Sequence, residues 1–305
     1  MKHLIIVNGK AGSLNGDISF SQKIKENFEG LDYEIHFTTA SKEATSFLRD
    51  YFNSHKEKTR VYACGGDGTI SEVVNGIVGV PNAELAIIPV GTGNDFVKIY
   101  GGVKRFLDFK KMISAETTLI DLSKISGETL KEPLYSINVI NFGFDAIVGA
   151  KGNENKLKGI KNPYGPKAII PAILHGRFNK TVVIADGEPL NKEKLLLASL
   201  SQGQFVGGEY HASPKSDNTD GLIDVVVMKT MSFLTLMTKY FKAYHDGKHL
   251  DNPKLMKKLY YRRAKHIEIV APKDIDICVD GEIIRGSHFD VEVMPKAINL
   301  VLPKE

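Results

Sequence analysis

The sequence predicts two joined folds: a doubly wound α/β domain at the N-terminus and a largely antiparallel β domain after it. Three observations carry this. Over the first hundred residues, apolar runs and helical stripes alternate as β-α-β-α-β-α, the pattern of a parallel sheet with helices on both faces. Three of those runs end in turns or loops rich in glycine. From about Ile120 the texture changes to short alternating runs, several separated by Asp-Gly turns, as in antiparallel sheets.

A chain of 305 residues has the length of two domains. Hydrophobic residues make up 42% and charged residues 25%, the balance of a soluble globular protein. No apolar run is long enough to span a bilayer. The opening Met1-Lys2-His3-Leu4-Ile5-Ile6-Val7 is broken too soon for a signal peptide and reads as a first strand. Cys64 and Cys278 lie in expected strands without metal-ligand spacing, which reads as core thiols in a reducing cytoplasm. Low-complexity tracts and internal repeats are absent.

Residues 4–7 form the first expected strand, ending at the turn Asn8-Gly9-Lys10-Ala11-Gly12-Ser13. Ile24 and Phe28 mark a helix and residues 33–38 the next strand. Ala44, Phe47, Leu48, Tyr51 and Phe52 form the stripe of a second helix. Val61-Tyr62-Ala63-Cys64 has the length and side chains of a buried strand. It stops at Gly65-Gly66-Asp67-Gly68-Thr69, after which Ile70, Val73, Val74 and Ile77 repeat at helical spacing. Glycine on such a strand-to-helix turn lets backbone N–H groups approach a ligand, and the helix N-terminus adds partial positive charge. The turn is therefore a candidate phosphate cradle, although a plain tight turn also favours glycine. Asp67 among donors aimed at phosphate makes sense if a divalent cation bridges the two.

Residues 85–89 form another buried strand, leading into Val90-Gly91-Thr92-Gly93-Asn94-Asp95-Phe96. This loop again carries glycine, a hydroxyl and a carboxylate. Ligands of parallel sheets bind beyond the carboxyl ends of the strands. All three loops fall there, with Thr38 and Thr39.

In the second half, strands are expected at 118–122, 135–142, 181–185, 194–201, 223–228, 266–270, 275–279, 289–293 and 298–302. Helices are expected at 167–178 and 231–244. The stripe of Phe233, Leu236, Met237, Tyr240, Phe241 and Tyr244 reads as core-facing, because most surface helices bury one face. Between Lys229 and Lys265 ten Lys or Arg face only Asp246 and Asp251, and Lys151, Lys156, Lys158, Lys161 and Lys167 form a second cluster. A solvated face would explain both. An anionic membrane, worth roughly 1 kcal/mol per basic residue near the lipid, is the alternative. Nucleic acid ranks below it, since no nucleic-acid motif is present and the chain lacks Trp.

Gly65-Gly66-Asp67-Gly68-Thr69 with Glu72 and Asn75-Gly76, followed by Pro89 and the Val90–Phe96 loop, resemble the catalytic domain of the diacylglycerol kinase-like lipid kinases. The bacterial soluble branch, with its diacylglycerol and phosphatidylglycerol kinases, is the nearest match. The resemblance covers essentially the whole chain. Asn8–Gly12 is similar to the family's first loop, although many members have proline where Gly9 stands. Gly207-Gly208, Pro214 and Asp217-Asn218-Thr219-Asp220-Gly221-Leu222 are similar to its metal-site stretch. Val279-Asp280-Gly281-Glu282 resembles its C-terminal catalytic turn, and residues 289–303 its final strands. The two glycine-acid loops at this separation are the specific signal; the first alone occurs in NAD kinases and phosphofructokinases.

The resemblance implies an α/β nucleotide-binding domain at 1–122, completed by 294–305, and a β-sandwich lipid-substrate domain at 123–293, with the active site in the interdomain cleft. It implies ATP and Mg²⁺ as cofactors. Asn8, Thr38, Gly65, Gly66, Asp67, Gly68, Thr69, Glu72, Thr92 and Asn94 would bind the nucleotide. Asp67 and Asp95 would hold the catalytic Mg²⁺, partly through water. Glu282, with Asp280, belongs to the catalytic turn, Glu282 as the general base on the lipid hydroxyl. Asp220, with the backbone carbonyls of Asp217 and Leu222, would bind a second, structural Mg²⁺. Asp121 either touches the Mg²⁺ network or caps a turn. Asp280-Gly281 alone reads as a hairpin turn, as does the repeated tripeptide Asp186-Gly187-Glu188. Phe142, Phe144, Phe178, Phe205 and Val206 are candidates for the lipid lining or for core.

The expected function is thus phosphorylation of a lipid alcohol, such as diacylglycerol or phosphatidylglycerol, by a cytoplasmic enzyme peripheral at the inner membrane face. No nucleic-acid partner is expected, and a homodimer is compatible with the family. The competing readings are a kinase for a soluble substrate, as in NAD kinase, and a non-catalytic nucleotide- or lipid-binding module on the same fold.

Overall fold

The computed structural model describes residues 1–9, 18–162, 165–176 and 179–304. Lys10–Ser13 of the first glycine turn and Phe178 lie outside the described residues. The chain forms two compact units, Met1–Leu122 with Pro295–Glu305, and Ser123–Met294.

The first unit is built on β1 (Lys2–Asn8), β2 (Tyr33–Thr38), β3 (Thr59–Gly65) and β4 (Ala83–Pro89). β1 lies between β2 and β3, β4 pairs with β3, and every pairing is parallel. The C-terminal strand of the chain adds a parallel neighbour to β4 through Leu300 and Leu85. β3 and β4 are buried at every position, as strands covered on both faces must be. The connections are α1 (Ile18–Phe28), α2 (Glu43–Ser54) and α3 (Asp67–Ile77), and α4 (Phe109–Ser114) follows β4. Helix α2 buries Ala44, Leu48, Tyr51 and Phe52. Phe47, expected on that stripe, instead stacks on His36 at 3.7 Å between ring centres.

The second unit is antiparallel. Its strands are β5 (Thr117–Gly127, which begins in the first unit), β6 (Leu134–Ser136), β7 (Val139–Gly143), β8 (Val182–Ala185), β9 (Glu188–Pro189), β10 (Leu195–Ser201), β11 (Ile223–Lys229), β12 (Leu259–Ala264), β13 (His266–Val279) and β14 (Glu282–Val301). The main order is β12-β11-β10-β7-β13-β14. Its helices are α5 (Phe144–Leu157), α6 (Pro166–Gly176), α7 (Phe233–Thr235), α8 (Phe241–His245) and α9 (Pro253–Met256), with a π turn at Leu236–Tyr240 between α7 and α8. One face of this sheet packs Ile140, Phe142, Ala198, Leu200, Ile277 and Val279 into a core. The other packs Leu197, Val226 and Met228 against Phe144, Leu236, Tyr240 and Tyr244.

Four differences from the sequence expectation have physical causes. The strand expected at 135–142 is split into β6 and β7, because the Ile137 and Asn138 amides turn to donate to Asp280. Helix α5 was not expected: Gly149, Gly152, Asn153 and Asn155 are weak helix formers that blur its stripe. The single helix expected at 231–244 contains the π turn. Strand β12 lies inside the basic stretch, where Arg262, Arg263 and Lys265 masked a short run. In addition, 266–270 and 275–279 form one strand with an irregularity between Val270 and Ile275, as do 289–293 and 298–301 in β14.

Candidate active site

Asn8, Thr38, Gly65 and Pro89 are brought level by the parallel registers Asn8 with Thr38, Val7 with Cys64, and Gly65 with Pro89. Beyond that edge the two glycine loops touch backbone to backbone. A Cβ on Gly91 would lie 2.3 Å from the α-carbon of Gly66, and one on Gly66 would lie 3.2 Å from that of Gly91. The contact is anchored by the Val90 amide, which donates to Gly65 O at 2.9 Å. Asn94, at φ +49°, closes the second loop: its side chain accepts from the Gly91 amide at 3.1 Å and donates to Gly91 O at 2.8 Å. Thr69 is buried and accepts from Asn8 Nδ2 at 3.2 Å, tying the first strand end to α3. Gly68 and Thr92 are exposed. Helix α3 begins at this contact with Gly66 as its N-cap and no side-chain cap; the Thr69 amide donates back to Gly66 O at 2.9 Å, and the earlier N–H groups of a helix lack intrahelical partners.

Two carboxylates sit at the same place. Asp67 Oδ1 accepts the Asp95 amide at 2.7 Å and the Phe96 amide at 3.2 Å. Asp95 Oδ1 accepts from Lys98 Nζ at 2.5 Å. The remaining oxygens converge: a Cβ on Gly93 would lie 3.0 Å from Asp67 Oδ2 and 3.6 Å from Asp95 Oδ2. Burial raises the Asp67 pKa, and the neighbouring Asp95 charge raises it further, against the two amides and Lys98. The two Oδ2 oxygens, converging on a space kept open by glycine, are hard ligands of the kind a divalent cation takes, while Lys98 offsets the charge of Asp95 on its other oxygen.

Other expected site residues make contacts within the fold. Glu72 Oε2 accepts the Ala44 amide at 3.3 Å, and Thr45 Oγ1 donates to Glu72 O, so Glu72 holds the start of α2. Thr38 Oγ1 donates to Val7 O at 3.5 Å. Asp121 is fully buried and accepts the Lys296 amide at 2.7 Å, where Lys296 has φ +54°. The contact is that of a turn cap.

In the second unit, Asp280 is committed to the backbone. Its carboxylate accepts from Ser136 Oγ (2.7 Å) and from the amides of Ile137 (2.8 Å), Asn138 (3.2 Å) and Val139 (2.9 Å). These four bonds hold the turn that carries Gly281 and Glu282. Glu282 follows Gly281 at the start of β14, half-buried and opposite Val279. Asp186 and Gly187 have the same left-handed backbone as Asp280 and Gly281, but among the described residues Asp186 Oδ1 accepts the Lys265 and His266 amides, both at 3.0 Å.

The residues expected to hold a second cation make contacts within the protein. Asp217 Oδ1 accepts from Thr219 N and Oγ1, and Asp220 Oδ1 from Leu222 N. Asp220 Oδ2 is ion-paired with Arg263 Nη2, and Leu222 O accepts from Gln202 Nε2 at 3.3 Å. Among the described residues no group of three or more His, Cys, Asp or Glu could hold a metal ion. The candidate lining residues also separate. Phe142 and Phe144 lie in opposite cores of the sheet, Phe205 stacks on His211 at 4.2 Å, and Val206 packs beside the Phe144 core.

The pattern described as the diacylglycerol kinase catalytic domain matches residues 2–125, and the YegS C-terminal NAD kinase beta sandwich-like domain matches residues 138–302, over half of the chain. The chain belongs to the diacylglycerol kinase-like lipid kinase family. Among relatives, a protein of Yersinia pestis (strain Pestoides F) named "Probable lipid kinase YegS-like" is 25% identical over 314 residues, spanning 98% of this chain and 96% of its own. A protein of the same name from Yersinia pseudotuberculosis serotype O:1b (strain IP 31758) has the same identity and coverage. The crystal structure of a diacylglycerol kinase from Bacillus anthracis str. Sterne superposes with a TM-score of 0.68 at 22% identity, covering 99% of this chain and 96% of that one. That likeness shows the family's two-part fold, a catalytic α/β domain and a β-sandwich domain. No described helix is long and apolar enough to cross a membrane.

Sequence reasoning missed Lys98, which neutralises Asp95 one turn after the second loop; the i, i+3 spacing was the available signal. It also missed Asp145, which a lone acid after Gly143-Phe144 gives no reason to single out.

Proposed function

We propose that this lipid kinase family member transfers the γ-phosphate of ATP to the hydroxyl of a lipid alcohol. The observation that supports it best is the convergence of Asp67 Oδ2 and Asp95 Oδ2 on Gly93, beside the glycine loops and the N-terminus of α3. Phosphoryl transfer needs positioning and neutralised charge more than covalent help. The loop amides and α3 bind and orient the phosphates. Mg²⁺, held by Asp67 and Asp95, supplies charge neutralisation when bound. Lys98 keeps the Asp95 carboxylate in place through Oδ1. Glu282 acts as general base, taking the proton of the acceptor hydroxyl, and Asp280 fixes the turn that carries it.

The acceptor is drawn from an anionic membrane surface on the cytoplasmic side. Lys239, Lys242, Lys248, Lys254, Lys257 and Lys258, all exposed, favour such a surface. The test is a phosphorylation screen of total lipid extract with labelled ATP, followed by identification of the product. Glu282→Gln should abolish turnover while ATP binding stays within about twofold. Normal turnover in that variant removes Glu282 from its role, and no labelled lipid with the wild type removes the reading.

A further inference from the structure

Lys98 is tied to the candidate cation site by two bonds to one residue. The second glycine loop runs into a 3₁₀ turn at Phe96–Tyr100, anchored by the buried side chains of Phe96 and Val97. The Lys98 amide donates to Asp95 O at 3.3 Å, and Lys98 Nζ donates to Asp95 Oδ1 at 2.5 Å. Side chains three residues apart eclipse in such a turn, so local geometry sets the ammonium over the carboxylate. The Asp95 side chain is 10% exposed and that of Lys98 22%, so water competes little for the pair. A charge-assisted bond of this kind holds a carboxylate oxygen strongly.

Each acid of the site is thus held through one oxygen and presents the other. Asp67 Oδ1 accepts the Asp95 and Phe96 amides, and Asp67 Oδ2 turns toward Gly93. Asp95 Oδ1 accepts from Lys98, and Asp95 Oδ2 turns toward the same glycine. A carboxylate with its second oxygen engaged binds a metal through one oxygen only. Mg²⁺ suits that arrangement, because it is small, is held by one or two carboxylates and keeps several waters. Ca²⁺ is larger, takes about six to eight oxygens and often grips both oxygens of a carboxylate. The amides on Asp67 are fixed backbone. Lys98 is a side chain, and its loss would return the second oxygen of Asp95 to the site.

We propose that Lys98 is a specificity-determining residue of the cation site: by holding Asp95 Oδ1 it confines Asp95 to binding through one oxygen and disfavours Ca²⁺ relative to Mg²⁺. This rests on the cation site of the kinase reading above and deepens it. A charge effect alone gives a different result. An ammonium beside the site weakens all divalent cations nearly alike, because the Coulomb energy follows charge and distance. The engaged oxygen acts instead on the difference between two cations of equal charge. The ratio of their affinities separates the two effects, and neither affinity taken singly does.

The test reads cation binding on the full chain without nucleotide or lipid. Mn²⁺ is the probe, because its free ion gives a paramagnetic resonance signal that is lost on binding, and Mg²⁺ or Ca²⁺ is added to displace it. Binding that survives in Asp67→Asn belongs to other sites and is subtracted. Lys98→Met should bind both competitors more tightly and shift the ratio of Mg²⁺ to Ca²⁺ affinity toward Ca²⁺ by about tenfold, the scale on which groups behind a metal ligand act. Lys98→Arg keeps a donor for Asp95 Oδ1 and should leave the ratio within about threefold of the wild type. Lys98→Ala carries the expectation of Lys98→Met if that variant does not fold. A ratio that moves less than about threefold in the folded Met or Ala variant overturns the proposal, even where both affinities rise. A wild type with no Asp67-dependent Mn²⁺ binding overturns it as well. A wild type that phosphorylates no lipid removes the lipid kinase reading alone, since neither lipid nor turnover enters these titrations.

Discussion

The Asp95 amide nitrogen lies 2.7 Å from Asp67 Oδ1, so one acid of the candidate site holds the backbone of the other. The arrangement brings their Oδ2 oxygens to a common point at the expense of charge repulsion; burial first, and that repulsion second, raise the Asp67 pKa. Asp67→Asn keeps an acceptor for the Asp95 and Phe96 amides and removes that repulsion. The variant should fold, with a melting temperature at pH 7 in chelator at or above that of the wild type. Its kcat should fall by about 10²-fold or more, the scale of losing one preorganised charge contact, and activity should no longer saturate with Mg²⁺ in the wild-type range. An unchanged Mg²⁺ titration would remove Asp67 from the cation site.

The approach of Gly66 to Gly91 gives a second prediction. Gly91→Ala drives a Cβ to 2.3 Å from the Gly66 α-carbon and 2.9 Å from its nitrogen, and backbone cannot rotate aside as a side chain can. Separation of the loops should cost about 1–3 kcal/mol of stability and weaken ATP binding more than tenfold. Gly68→Ala, where nothing lies within 4 Å of the added carbon, is the control and should leave stability within about 0.5 kcal/mol. Equal ATP affinity in the two variants, measured by calorimetry, would show that the contact does not shape the cradle.

Much of this site was legible because its signals are local. A buried apolar run, a glycine turn and a helical stripe over residues 61–77 fix a strand, a bend and a helix in sequence order, and β3 and α3 follow them. The second unit was less legible because its decisive contacts are distant. Asp280 breaks an expected strand from more than 140 residues away, and no local pattern around Ile137 announces it. Glu72 illustrates the reverse. Its place in the motif suggested the nucleotide, whereas its carboxylate meets the Ala44 amide of a neighbouring helix. Asp121 caps a turn at Lys296, a contact 175 residues away that no local pattern announces.

The twin tripeptides make a third prediction. Asp186 and Asp280 share sequence and backbone, but the first accepts two amides at the surface and the second accepts four donors in the interior. Asparagine at 280 offers one acceptor oxygen and turns an NH₂ group toward donors. Asp280→Asn should therefore destabilise by about 2–4 kcal/mol, and Asp186→Asn by less than about 1 kcal/mol. Urea unfolding of both variants measures this. Similar losses would mean that the buried bonds to residues 136–139 add nothing beyond those of a surface turn.

The last prediction concerns pH. Burial pushes the Asp145 carboxyl from its ordinary 3.8 up to about 6, against the Tyr244 hydrogen bond. The folded state therefore holds this proton more tightly than the unfolded chain does. Its contribution to stability is complete below about pH 4, is lost as pH rises toward about 6, and is level above that. Asp280, pushed up to about 6 by burial despite its four donors, adds a change of the same sign. Comparing wild type with Asp145→Asn cancels the Asp280 part, because both proteins retain it. Unfolding free energies at pH 4, 5, 6 and 7.5 should show the wild type losing up to about 3 kcal/mol relative to the variant across this window. A difference that stays flat from pH 4 to 7.5 would mean that Asp145 is as well solvated in the folded chain as in the unfolded one, and its burial beside Tyr244 would have to be abandoned.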